Sequence, residues 1–155
     1  MGLDSYLYRR QYISGWDWDG PNTDRSMYDQ LLEYTNNIRC EGSPHINIDV
    51  CVAYWRKANA VHKWFCDLDG GRDECQSIYV TKEDLIRLRD LAKSVIEQPA
   101  MAGDVLPTQQ GFFFGSYDYD DWYMEDMKFT VDQIDKILES TKHHEYVDFI
   151  YRASW

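Results

Sequence analysis

The stretch AYWRKANAVHKWF, Ala53 to Phe65, gathers residue types that recognise a planar anionic ligand. If it is helical, Tyr54, Ala58, Val61 and Phe65 make one apolar stripe, and Trp55, Asn59, His62 and Cys66 run along its edge at helical spacing. Arg56 and Lys63 then face outward, with Lys57 on the other flank. An indole stacks on a flat ring, an amide and an imidazole give directed hydrogen bonds, and a guanidinium pairs with phosphate or carboxylate. A second stretch, LPTQQGFFFGSYDYDDWY from Leu106 to Tyr123, adds Thr108, Gln109 and Ser116, and the two blocks together could line one pocket. In the plainer reading Trp55 packs, Asn59 and His62 satisfy buried backbone groups, and the cations are solvated.

The Gly115–Ser116 step ahead of a helix leaves backbone N–H groups suited to an anion. It is not a Walker-type phosphate loop, because no lysine follows the glycine, and Asp118, Asp120 and Asp121 fill the same turns with negative charge. Further along, Asp121, Glu125, Asp132, Asp135 and Glu139 fall on one outward helix face. Such a row suits a basic cleft on a protein partner, or water alone.

No GxSxG, HExxH or phosphate-loop signature occurs, and no catalytic residue is assigned. Cys66 and His62 stand at i, i+4, but no orienting group is visible, so a packed thiol is expected. Asp17, Asp19, Asn22 and Asp24 imitate the oxygen spacing of a calcium loop without its full glycine and glutamate pattern, and read as a turn. Cys40, Cys51, Cys66 and Cys75 lack CxxC pairing and read as reduced thiols. A zinc site built from two of them with His62 or His45 would need irregular spacings, so neither metal nor cofactor is expected.

The elements that must position these residues belong to a chain of 155 residues with 44% hydrophobic and 15% aromatic content, enough to bury a core in one domain. Its net charge of −11, from 27 acidic against 16 basic residues, excludes a general binder of duplex nucleic acid. No apolar segment is long enough to span a bilayer and no signal-peptide pattern opens the chain, so a cytoplasmic protein without a membrane partner is expected. Alternation predicts strands near 3–13, 46–50 and 144–153. Helices are predicted over 26–38, with Met27, Leu31 and Tyr34 on one side, over Val52–Cys66, from Thr81 to Pro99, and over 119–140. Thr81 and Asp84 suggest a capping arrangement, and Tyr123, Met127, Thr130, Ile134 and Ile137 form the inward face of the last helix. Gly111 and Gly115 would bracket Phe112–Phe114 as a short core strand. The expected fold is therefore α+β: a small antiparallel or mixed sheet holding the first and last strands, packed against about three long helices in a single globular domain, residues 1–155.

The start MGLDSYLY and the blocks YWRKANAVHKWF and LPTQQGFFFGSYDYDDWY resemble a family of small uncharacterised proteins of tailed bacteriophages and prophages. The resemblance implies an accessory protein made in a bacterial cytoplasm, and by analogy one that antagonises a host defence system or host enzyme by stoichiometric binding. It carries no functional residue with it. Two expectations from different classes follow: a non-enzymatic protein that captures a basic protein partner or a small anionic ligand, and a nucleotide sponge or nucleotide-processing enzyme using the pocket between the blocks. A structural or assembly factor is the third.

Overall fold

The computed structural model describes residues 2–17, 23–111 and 113–155. The fold is α+β, with element order β1 (Asp4–Ser14), α1 (Thr23–Glu33), β2 (His45–Arg56), α2 (Asn59–Leu68), β3 (Ile78–Val80), α3 (Lys82–Glu97), α4 (Ala102–Val105), α5 (Asp121–Ser140) and β4 (Asp148–Ser154). A 3-10 turn at Pro99–Met101 joins α3 to α4. The sheet order is β2-β1-β4-β3, so the sheet holds the first and last strands, as expected, and places them side by side. β3 is a three-residue strand that the sequence reading misses, and it runs antiparallel to β4 with Ile78 opposite Tyr151 and Val80 opposite Phe149.

The chain divides into two compact units, one of residues 1–9 and 51–155 and one of residues 10–50. In the smaller unit Ile13, Tyr28 and Leu32 form a core with Leu31, Ile46 and Ile48. Gly15 is required there, because a Cβ would lie 2.6 Å from the Tyr28 ring. α1 ends earlier than predicted, at Glu33, and Asn36 and Asn37 follow with φ of 54° and 58°. Tyr28 and Leu32 are its buried residues, whereas Met27 and Tyr34 are exposed, which shifts the inward face by one position. Asp17 of the calcium-like spacing pairs with Arg25 at 2.7 Å; Trp18, Asp19 and Asn22, like Phe112, lie outside the described residues.

The larger unit packs one face of the sheet against α2, α3 and α5. Leu3 and Leu7 from the start of the chain, Ala53 and Trp55 from β2, and Phe149, Tyr151 and Ala153 from β4 meet Val61 and Phe65 of α2, Leu85 and Leu88 of α3, and Met127 and Ile134 of α5. The buried indole of Trp55 donates to Thr130 Oγ1 at 3.0 Å, and the threonine hydroxyl donates on to the Asp126 carbonyl at 2.7 Å, so the polar handle of a core tryptophan is satisfied. α3 carries the predicted cap: Thr81 Oγ1 accepts from Asp84 N, and the Asp84 carboxylate accepts from Thr81 N at 2.9 Å. The predicted inward face of α5 is also the buried one.

Two predicted elements are corrected. Residues 52–56 are strand, not helix: Val52, Tyr54 and Arg56 alternate with the buried Ala53 and Trp55, a period of two. The strand stops at Lys57, whose φ of 59° breaks the extended chain, and α2 begins at Asn59. The predicted core strand is not found at its described residues, Gly111 and Phe113–Gly115, and Phe113 lies in a turn. Phe114 N donates to Gly111 O at 3.2 Å, and the Phe114 ring folds back so closely that a Cβ on Gly111 would lie 2.4 Å from it. Phe114 is buried, whereas Phe113 is exposed.

Candidate functional site: one pocket between two blocks

The end of β2, the start of α2, Gly115 and Ser116, and the start of α5 surround a cavity of about 480 Å³, within the usual range for small-molecule sites. Arg56, Lys57 and Asn59 line it from the first block, Thr108 and Ser116 from the second, and Asp118, Asp120, Trp122 and Asp126 from α5 and the segment before it. The polarity of the two helix ends differs. Asp120 caps α5, its carboxylate accepting from Tyr123 N at 3.0 Å, so that terminus is filled by the chain's own anion. α2 begins at the pocket wall with no side-chain cap, and its partial positive charge adds to that of Arg56 and Lys57. The anion-favouring side of the cavity is therefore α2, not the Gly115–Ser116 step, from which α5 is separated by four residues.

Asn59 is the clasp between the blocks. Its Nδ2 donates to Ser116 O at 2.7 Å and Phe114 O at 3.3 Å, and its Oδ1 accepts from Gln109 N at 3.3 Å. The amide is thus spent on shaping the wall, and the side chain is buried. Gly115 makes the close approach possible: its φ is +89°, and a Cβ would sit 3.1 Å from Lys57 Cβ and 3.3 Å from Lys57 O. Across the cavity, burial, reinforced by Asp120 and Glu125, pushes the Asp126 carboxyl up to about 7. Near neutral pH it exists in both forms and can donate or accept a hydrogen bond.

Of the seven ligand candidates read from the sequence, Arg56, Asn59, Thr108 and Ser116 line this cavity and Trp55, His62 and Gln109 do not. Trp55 lies in the core. His62 and Gln109 belong to a separate, partly exposed network around Asp73: His62 Nε2 stands 3.0 Å from Asp73 Oδ1, Gln109 Nε2 donates to Asp73 Oδ2 at 2.9 Å, and Trp155 Nε1 donates to Asp73 Oδ1 at 3.0 Å. On the other side of the ring, His62 Nδ1 is 2.7 Å from the Tyr151 hydroxyl, which lies 2.9 Å from Ser5 Oγ. Burial outweighs Asp73 and lowers the His62 pKa, so the ring is neutral at pH 7. The orienting carboxylate that the sequence does not reveal for His62 and Cys66 thus exists, but burial, helped by Asp73, pushes the Cys66 thiol up to about 12. A protonated thiol inside the core is no nucleophile.

The acidic face of α5 is exposed at Asp121, Glu125, Asp132, Asp135 and Glu139. Asp132 pairs with Lys136 at 2.6 Å, Asp135 with Arg89 and Lys93, each at 3.3 Å, and Glu139 with Lys142. Three of the five carboxylates therefore already hold a cation of the same chain. Cys40, Cys51, Cys66 and Cys75 are unpaired thiols. No helix among the described residues is long and apolar enough to cross a membrane.

Asp126 and Trp122 are the pocket residues that sequence reasoning passes over. Their signal was present: they stand at i, i+4 beside the inward positions Tyr123 and Met127, a border location where an acid must be either solvated or used. Fold and site together define an α+β protein with a mixed-charge cavity between the end of β2 and the start of α5. In comparisons with protein-family models, curated proteins and solved structures, nothing matches this chain.

Proposed function

We propose that the protein works by stoichiometric capture of a small, nucleotide-like ligand in the pocket between its two sequence blocks. The observation that carries this reading is the convergence of Arg56, Lys57 and the uncapped start of α2 with Thr108, Ser116 and the carboxylates of Asp118 and Asp126 around one cavity. An anionic group of the ligand would pair with Arg56 and Lys57, amino and hydroxyl donors would meet the carboxylates, and a planar ring would stack on Trp122. The resemblance to phage accessory proteins supplies the setting: a bacterial cytoplasm, where removing a signalling ligand would antagonise a host defence. Capture of a basic protein partner by the α5 face is the weaker version, because its carboxylates are partly neutralised within the chain.

Equilibrium binding to a panel of nucleotides, cyclic signalling nucleotides included, tests the reading, with analysis of what is released. The expected result is one ligand per chain, returned unchanged. Arg56→Ala should weaken binding about tenfold or more, the scale of a lost charge-assisted hydrogen bond, without lowering the unfolding temperature. A panel with no binder removes the reading. A released product would convert capture into turnover, and co-purification with virion components would favour the assembly role.

A further inference from the structure

We propose that His62, Cys66 and Asp73 form a binding site for a tetrahedral divalent cation of the zinc class. One imidazole nitrogen, one sulfur and one carboxylate oxygen from these residues all lie within 4.8 Å of one another. His62 and Cys66 are fixed one turn apart on α2, with His62 Nε2 3.6 Å from Cys66 Sγ. Around zinc, bond lengths near 2.0–2.3 Å place tetrahedral N and S ligands about 3.5 Å apart and N and O ligands about 3.4 Å apart. Sγ stands 3.6 Å from Nε2 and 3.9 Å from Nδ1, beside the ring, so a cation on the Nε2 lone pair draws it in by a turn of the Cys66 side chain, while the Asp73 carboxylate, now 3.0 Å from Nε2, swings aside to admit the ion. Asp73 is on the loop after α2, where such a shift is easiest.

The groups behind the three donors suit a metal as well. With Nε2 bound to the cation, the ring proton resides on Nδ1 and donates to the Tyr151 oxygen at 2.7 Å, while Tyr151 donates onward to Ser5 Oγ at 2.9 Å. That chain fixes the tautomer and the ring plane, the usual task of groups behind a ligating histidine. Gln109 holds the second carboxylate oxygen of Asp73 at 2.9 Å, which orients the first. Thiolate with imidazole and carboxylate selects zinc or cobalt over calcium and magnesium, which prefer oxygen alone. Entry is from the Asp73 side, whose side chain is 19% exposed while that of His62 is 1% exposed. Binding displaces one proton, from the Cys66 thiol to solvent, and a water completes the fourth position.

Cobalt(II) titration of protein stripped with chelator tests the site, because tetrahedral cobalt with a thiolate ligand gives intense visible bands and a sulfur-to-metal charge-transfer band. One equivalent of cobalt should produce these bands in the wild type, and one equivalent of zinc should bleach them. A triple variant, Cys40→Ser, Cys51→Ser and Cys75→Ser, should retain them, since these exposed thiols are not ligands. Cys66→Ser should lose the charge-transfer band, and Asp73→Asn should weaken the metal tenfold or more. Absence of bands from the wild type overturns the proposal, with no variant needed. So does their loss in the triple variant, or their persistence in Cys66→Ser.

Discussion

At the scale of single residues, the pocket is made by side chains whose ordinary chemistry is altered by a neighbour, and Asp126 is the clearest case. An unfolded aspartate ionises near 3.8, whereas in the fold burial first, then Asp120 and Glu125, hold the Asp126 carboxyl up to about 7. Between those values the folded chain keeps a proton that the unfolded chain has lost. Asp126 therefore makes stability fall as pH rises from about 4 to about 7, and the loss persists above that window. Asp126→Asn, which cannot ionise, should unfold at nearly the wild-type temperature at pH 4 and at a higher temperature than the wild type at pH 8. Paired thermal melts across that range check it; a difference that does not change with pH would mean that the carboxyl is not held protonated. Asn59 and His62 show what a sequence alone reveals of such residues. Both look like ligand-facing polar groups on an amphipathic stripe, and only the long-range partners Ser116, Asp73 and Tyr151 disclose that their hydrogen bonds are committed internally.

At the scale of elements, what was legible in the sequence is what local chemistry decides. The Thr81–Asp84 cap and the inward face of α5 follow from contacts within one or two turns, and both stand in the structure. The boundary between β2 and α2 does not. Tyr54, Ala58, Val61 and Phe65 keep a helical interval straight through it, and the break falls at Lys57, against which Gly115, 58 residues away in sequence, packs closely. Gly115→Ala would place a side chain at φ +89° and 3.3 Å from a backbone oxygen, a combined penalty of roughly 1–2 kcal/mol or more. Urea unfolding should show that loss, and ligand affinity should fall with it, because Gly115 also lines the cavity. An unchanged midpoint would mean that the chain at Gly115 relaxes freely and is not what shapes the pocket wall.

At the scale of the whole molecule, the charge of −11 is distributed over a chain whose cations are largely engaged, as in the Arg10–Asp49, Lys63–Asp67 and Arg89–Asp135 pairs. Two opposing electrostatic effects follow, and their magnitudes decide the sign. Exposed pairs contribute about 0–1 kcal/mol each and are weakened by salt. The excess of carboxylates repels over longer distances, and that repulsion is also what salt suppresses, because the screening length falls from about 30 Å at 0.01 M to about 10 Å at 0.1 M. Contact pairs at 2.6–3.3 Å lie well inside either length and lose little over that interval, whereas repulsion between separated carboxylates loses most of its strength. Raising sodium chloride from about 0.01 M to about 0.1 M should therefore raise the unfolding temperature at pH 7.5. A fall would mean that the paired cations, and not the surplus of acids, dominate the electrostatics of the native state. If the proposed ligand is anionic and is held at Arg56 and Lys57, the same salt increase should speed its association with a chain of net negative charge, opposite to its effect on a protein of net positive charge.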